Sequence, residues 1–178
     1  MADTLDLMRK QMRATQSAAI VVDPNIEPPD AILMMYIRNN GNGVARDVRL
    51  TYKADRRPIL GGSVIETSGE RVLYFPKIGI PGEGLKATAG LRTDRYAFPG
   101  SGPNMWSALQ HTAETVRIEG TLTYDDGFGP VEPEKFCESW LWYSARGGLQ
   151  TFFRFEPCDG FENLARTAIE KSKESRPK

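Results

Sequence analysis

Oxygen donors for a divalent cation stand close together twice in this chain, at Asp125-Asp126 and at Asp159 with Glu162. Calcium takes about six to eight oxygens from carboxylates and carbonyls, so these four acids could serve only if the two loops met. EF-hand spacing is absent, and Tyr124-Asp-Asp-Gly-Phe-Gly129 also reads as a strand running into a hairpin turn. The expectation is no resident metal and no other cofactor, with Asp125 and Asp126 as the weak metal candidates. Nucleophilic chemistry finds less support. The single histidine, His111, lies near Ser107 and Thr112, and Ser101 sits in a Gly-Ser-Gly loop, but no serine has the Gly-x-Ser-x-Gly elbow around it. Cys137 lies in an aromatic run, away from any helix N-terminus that would stabilise a thiolate. The pairs Gly41-x-Gly43 and Gly82-x-Gly84 lack the context of a phosphate-binding loop and read as turns. These residues predict a protein without catalytic machinery.

The two cysteines have a sharper geometry. Phe136-Cys-Glu-Ser-Trp-Leu-Trp-Tyr143 and Phe152-Phe-Arg-Phe-Glu-Pro-Cys158 flank Gly147-Gly148, and a two-residue turn at those glycines makes opposed residue numbers sum to 295. Cys137 then faces Cys158, Trp140 faces Phe155 and Trp142 faces Phe153. Counting from such a turn puts the cysteines at a non-hydrogen-bonded pair, where side chains approach most closely. A disulfide and a pair of buried thiols both remain open, and Pro157 argues that the second strand bends before Cys158. Two cysteines are too few for a disulfide scaffold and match no zinc spacing.

Three sets of side chains are candidates for binding. Phe136, Trp140, Trp142, Phe153 and Phe155 form one face of the hairpin, which serves either as core between two sheets or as an exposed platform for sugar rings. Core packing is the favoured reading. Leu141, Tyr143, Phe152 and Arg154 form the other face, suited to receive a C-terminal helix. Arg49 and Lys53 share the outward face of one strand, with Arg46, Arg56 and Arg57 nearby, a local basic patch suited to an acidic partner or lipid head group, diluted by Asp47 and Asp55. Leu5, Met8 and Met12 recur at helical spacing near the start.

Elements that would position these groups follow from periodicity. A short amphipathic helix is expected to end at Gln16, and its narrow stripe calls for the domain, a copy of itself, or a continuing segment. Strands are expected at Ala18 to Val22, stopped by Pro24, at Ala31 to Arg38, and at Ala45 to Lys53, where Val48, Leu50 and Tyr52 alternate with polar residues. Weaker strands follow at Ile59 to Thr67, Arg71 to Pro76 and Leu85 to Thr93, with loop from Asp94 to Asn104. A helical turn at Met105 to Thr112 and a half-buried strand at Thr115 to Tyr124 precede the hairpin. Asp159 caps a last helix whose stripe is Phe161, Leu164, Ala165, Ala168 and Ile169. The predicted fold is mainly β, an immunoglobulin-like antiparallel β-sandwich with short N- and C-terminal helices: helix 1–16, sandwich 17–158, helix and tail 159–178.

Length and charge set further bounds. The chain has 178 residues, 40% apolar, with 23 basic and 23 acidic side chains, so one core is expected and no overall field recruits nucleic acid. No apolar run of membrane-spanning length is present, and the first residues show no basic stretch leading into an apolar one, so no secretion signal is expected.

Asn39-x-Gly41-x-Gly43-x-Ala45-x-x-Val48-x-Leu50, followed by Ile80-Pro81-Gly82-Glu83, resembles the immunoglobulin-like or fibronectin-like modules of prokaryotic surface and membrane-anchored proteins. Tyr124-Asp-Asp-x-x-Gly129, Phe136-Cys137 and Cys158 are similar to a group of bacterial proteins in which a membrane-spanning segment leads through an amphipathic helix into one sandwich. The resemblance implies that Leu5 to Gln16 is the end of such a helix, and it implies a membrane tether, although no membrane segment precedes residue 1 in this sequence. Together these readings lead to the expectation of a non-catalytic protein-interaction module of a bacterial assembly or membrane-tethered protein. A carbohydrate-binding module is the alternative, and a small enzyme on a β-scaffold the third reading. The oligomeric state and the compartment are left open.

Overall fold

The computed structural model describes residues 2–59, 61–79, 92–98, 102–110, 114–144, 151–161 and 163–167. The elements in chain order are α1 (Ala2–Gln16), β1 (Ile20–Glu27), β2 (Ile32–Asn39), β3 (Ala45–Pro58), β4 (Glu66–Ile78), β5 (Arg92–Tyr96), α2 (Pro103–Gln110), β6 (Glu114–Asp125), β7 (Glu134–Ser144) and β8 (Thr151–Pro157). The protein is mainly β. Two antiparallel sheets, β1-β2-β5 and β4-β3-β6-β7-β8, bury one core.

Alternation explains the core. Val48, Leu50, Tyr52 and Ala54 of β3 turn inward with Val116, Ile118 and Leu122 of β6, and they meet Leu33, Met35 and Ile37 of β2. Met105 and Leu109 of α2 plug the same core, while Trp106 lies half-buried against Trp140, ring centroids 5.9 Å apart. Gly120 of β6 faces Tyr52 on one side and Phe136 on the other. A Cβ there would stand 2.6 Å from the Thr51 carbonyl and 2.8 Å from the Phe136 ring, so the missing side chain is the space that ring occupies.

Several expectations change. β1 runs through Pro24 to Glu27 because it is the edge of its sheet, where a residue without an N–H costs no ladder bond. β4 is one strand of 13 residues starting at Glu66, preceded by Gly61 and Gly62 at positive φ instead of the expected strand from Ile59. β5 lies at Arg92–Tyr96, partly where a loop was expected. The predicted Ile80-Pro81-Gly82-Glu83 turn, Gly84, most of the Leu85 to Thr93 strand, Ser101, His111 and the Gly147-Gly148 turn lie outside the described residues, as do Glu162, Ala168 and Ile169.

The β7–β8 register is the one that the glycine arithmetic predicts, with Trp140 opposite Phe155 and Leu141 opposite Arg154. Cys137 and Cys158 are joined by a disulfide, Cα atoms 5.4 Å apart. The hydrogen-bond parity differs from the expectation. Cys158 N–H donates to the Cys137 carbonyl at 3.0 Å, and the Cα spacing is that of a hydrogen-bonded pair, so the ladder is out of phase with a turn closing at 146 and 149.

Where α1 joins the sheets, Asn39 is fully buried and its carboxamide makes four hydrogen bonds. Oδ1 accepts from Ala19 N–H (3.1 Å) and Gly41 N–H (3.0 Å); Nδ2 donates to the Gly43 (2.6 Å) and Gly79 (3.2 Å) carbonyls. Gly41 and Gly43 are needed here for close approach: a Cβ on either would overlap the backbone of residues 16–19. Replacing Asn39 with Ala leaves two part-buried N–H donors and two carbonyls short of a partner, and should lower unfolding free energy by about 3 kcal/mol in chemical denaturation. A loss within experimental error would show that this amide does not hold the sheets.

Candidate functional site

Two surfaces stand out, and they lie on different elements. The first is α1, in which every residue from Thr4 to Gln16 is exposed. Leu5 is 61% accessible, Leu7 58%, Met8 54% and Met12 49%, so the stripe that should have found a partner faces solvent. Among the described residues, its hydrogen bonds and ion pairs to the rest of the domain lie at the last turn and the residue after it. Arg13 Nε pairs with Asp126 Oδ2 at 2.8 Å, Asn42 Nδ2 donates to the Thr15 carbonyl at 3.0 Å, and Gly43 N–H donates to the Ser17 carbonyl at 3.1 Å. On the helix itself Lys10 pairs with Asp6 at 3.0 Å.

That geometry accounts for the two acids considered as metal ligands. Asp126 is buried, with Oδ2 on Arg13 and Oδ1 accepting Phe128 N–H at 2.9 Å, while Asp125 Oδ1 accepts Gly127 N–H at 2.7 Å. Their carboxylates close a turn and anchor α1. Asp159 is exposed, and no group of three metal-ligating side chains occurs among the described residues.

The second surface is the outer face of the five-stranded sheet, where a groove of about 540 Å³ runs over β3, β6 and β7. Thr51 and Thr121 face each other across two strands, Thr121 faces Lys135, and Lys53 faces Glu119, which in turn faces Cys137 of the disulfide. Beside it, Val72 and Tyr74 of β4 are about half exposed; Tyr74 Oη donates to Asp47 at 2.8 Å, and the Arg49 guanidinium lies 6.0 Å above its ring. The C-terminal helical residues 161 and 163–167 cover only one end of this face, through Phe161 and Ala165 on Ile59 and Leu141; Leu164 stays half exposed.

The expected basic patch is divided by ion pairs. Arg56 is gripped by Glu114 (2.7 Å) and Glu66 (3.1 Å), and Asp55 takes both Lys53 and Arg57 at 3.2 Å. Burial pushes the Asp55 carboxyl up, but hydrogen bonds from Thr67 and Lys53 and the charges of Lys53 and Arg57 outweigh it, so its pKa falls below the ordinary value. Arg46 and Arg49 are exposed and in no ion pair among the described residues, Arg49 lying over the Tyr74 ring. The aromatic face is core where it is described: Trp140 is buried, and Phe136 and Phe155 pack against the core. The side chains of Trp142, Tyr143, Phe152, Phe153 and Arg154 lie outside the described residues.

Sequence reading passed over the groove, because Thr51 and Thr121 are distant in the chain and only the β3–β6 register aligns them. It also left Leu7 out of the helix stripe, since Leu7 is one position off the a/d spacing.

Glu138 marks a third feature, an acid half-buried on β7 close to Asp23 and Glu156. Burial pushes its pKa up, and the charges of Asp23 and Glu156 push it further; Asp23 itself is paired with Arg38 at 2.7 Å.

A mainly β domain of two antiparallel sheets, with a helix standing off one end, is the class defined by these features. Residues 1–143 match the family described as a domain of unknown function (DUF8453), and the chain belongs to that family. No curated protein matches it.

Glu138 yields a pH test. A carboxyl whose folded pKa exceeds its unfolded one opposes folding only when ionised, so stability falls as pH rises from the ordinary Glu value through the raised one. Relative to its difference from wild type at pH 4, Glu138→Gln should gain stability at pH 8, read from urea midpoints at both values. Equal differences at the two pH values would refute the raised pKa.

Proposed function

We propose that this chain is a non-catalytic protein-interaction module, immunoglobulin-like in architecture, belonging to a bacterial assembly or a membrane-tethered protein, and that α1 carries the contact. The observation behind this reading is the exposure of Leu5, Leu7, Met8 and Met12 on a helix whose hydrogen bonds and ion pair to the sheets, among the described residues, lie at its last turn. Burying such side chains contributes about 1.5–3 kcal/mol each, more than a marginal 15-residue helix can forgo without a partner. The bracket of Asn39, Asn42 and Asp126 supports the same reading, because it aims the helix and leaves its apolar stripe free.

The groove on the outer sheet face favours a second reading, a module for a hydroxylated ligand such as a glycan. Its Thr51, Thr121 and Lys135 offer hydroxyl and ammonium groups along one line, and Tyr74 supplies an exposed ring near its edge.

The two readings separate in a capture experiment with the domain as bait beside a Leu5→Ser/Met8→Ser/Met12→Ser variant. Under the first reading the variant keeps its β circular dichroism and loses a specific protein partner, with affinity reduced at least about 100-fold. Equal capture by both proteins, or glycan-array binding abolished by Lys135→Ala, would favour the groove instead.

A further inference from the structure

We propose that α1 pairs with α1 of a second copy of this chain as a parallel two-stranded coiled coil. The inference rests on the reading of α1 as the contact element and names the partner of that element.

Leu5, Met8, Met12 and Thr15 are spaced three, four and three residues apart, the a-d-a-d pattern of two heptads. A helix that covers a globular core needs an apolar arc of about 100° or more, whereas the a/d seam is narrow and fits one other helix, with exposed Leu7 at c lying beside it. Thr15 suits the seam as it stands. Its hydroxyl donates back within the helix, to the Gln11 carbonyl at 3.0 Å, which leaves its methyl as the group to bury. With 15 residues α1 is about 22 Å long, and a helix of that length is marginal alone in water.

Of the four residues that flank the seam only Arg9 is charged, and its place favours a parallel pair. Thr4 and Gln11 stand at g, Arg9 and Gln16 at e. In a parallel pair each g residue meets the following e residue of the other helix, Thr4 with Arg9 and Gln11 with Gln16, so no like charges meet. An antiparallel pair would place the two Arg9 side chains on the same edge. Of the other charges, Lys10 is engaged with Asp6 and Arg13 with Asp126, and the chain's formal net charge is zero, so two copies approach without long-range repulsion. Two heptads bury less than the roughly 1,200 Å² of a stable interface, so the pair is concentration-dependent, with Kd of about 10–500 μM.

Sedimentation equilibrium of the full chain from about 10 μM to 1 mM tests the inference, beside Met8→Glu/Met12→Glu, whose substitutions lie on exposed helix and leave the sheets untouched. The expected result is a mass rising from monomer toward dimer, lost in the variant, with Met12→Cys cross-linking to its own copy on oxidation because parallel pairing sets residue 12 against residue 12. Monomer throughout the range overturns the second-copy inference and leaves α1 as a contact for a different protein, which the capture experiment tests separately. A dimer that survives the double substitution, or one that Met12→Cys fails to cross-link, overturns it as well.

Discussion

The side-chain amide of Asn39 sits at the end of β2, where three separate pieces of chain have to meet. Its oxygen holds the backbone entering β1 and the Gly41 turn, and its nitrogen holds the end of that turn and the residue after β4. An amide offers two donors and two acceptor sites, and here all four are used in a fully buried position. Because β2 and β4 belong to different sheets, the amide links the sheets as well as closing a turn. The same contact draws residues 16–19 so close to the turn that only glycine fits at positions 41 and 43.

From that knot the direction of α1 follows. Ala18 N–H donates to the Asp126 carbonyl, and the Asp126 carboxylate takes Arg13, so the loop after β6 and the turn after β2 hold the helix exit from two sides. Of the acids that sequence reading offered to a metal, Asp126 is part of this bracket and Asp125 closes the turn beside it. A carboxylate already paired with a guanidinium and a backbone N–H has little capacity left for a cation. The consequence for function is that the helix leaves the domain at a set angle with its apolar side uncovered.

Charges on the five-stranded sheet show a different economy of structure. Arg56 lies between Glu66 and Glu114 on neighbouring strands, and Asp55 lies between Lys53 and Arg57, so most cations of β3 are matched locally. Removing one member of the Arg56 cluster would strand a charge in partly dry surroundings, which is why such groups hold register more than they attract ligands. What remains open on that face is polar and of mixed sign, and the disulfide closes it at one rim by fixing the start of the C-terminal helix beside β7.

Much was legible in the residues themselves. The alternation Val48, Leu50, Tyr52 identified the inner face of β3, and the residue arithmetic around Gly147-Gly148 set the β7–β8 register and the facing of Cys137 and Cys158, because a side-chain period of two and a nearby turn are local properties. The same arithmetic missed the hydrogen-bond phase, since Cys137 and Cys158 form a hydrogen-bonded pair. Pro24 misled because edge or centre is decided by which strands pair, and Asn39-x-Gly41-x-Gly43 read only as a turn because the backbone it receives comes from residues 16–19 in another part of the chain. The chain by itself determined which side chains alternate inward and where a helix carries a narrow apolar seam. Only the tertiary structure decided that this seam faces water, that Lys53, Arg56 and Arg57 are matched by acids and that Asp126 holds the helix exit, since each outcome depends on partners brought together by long-range strand pairing.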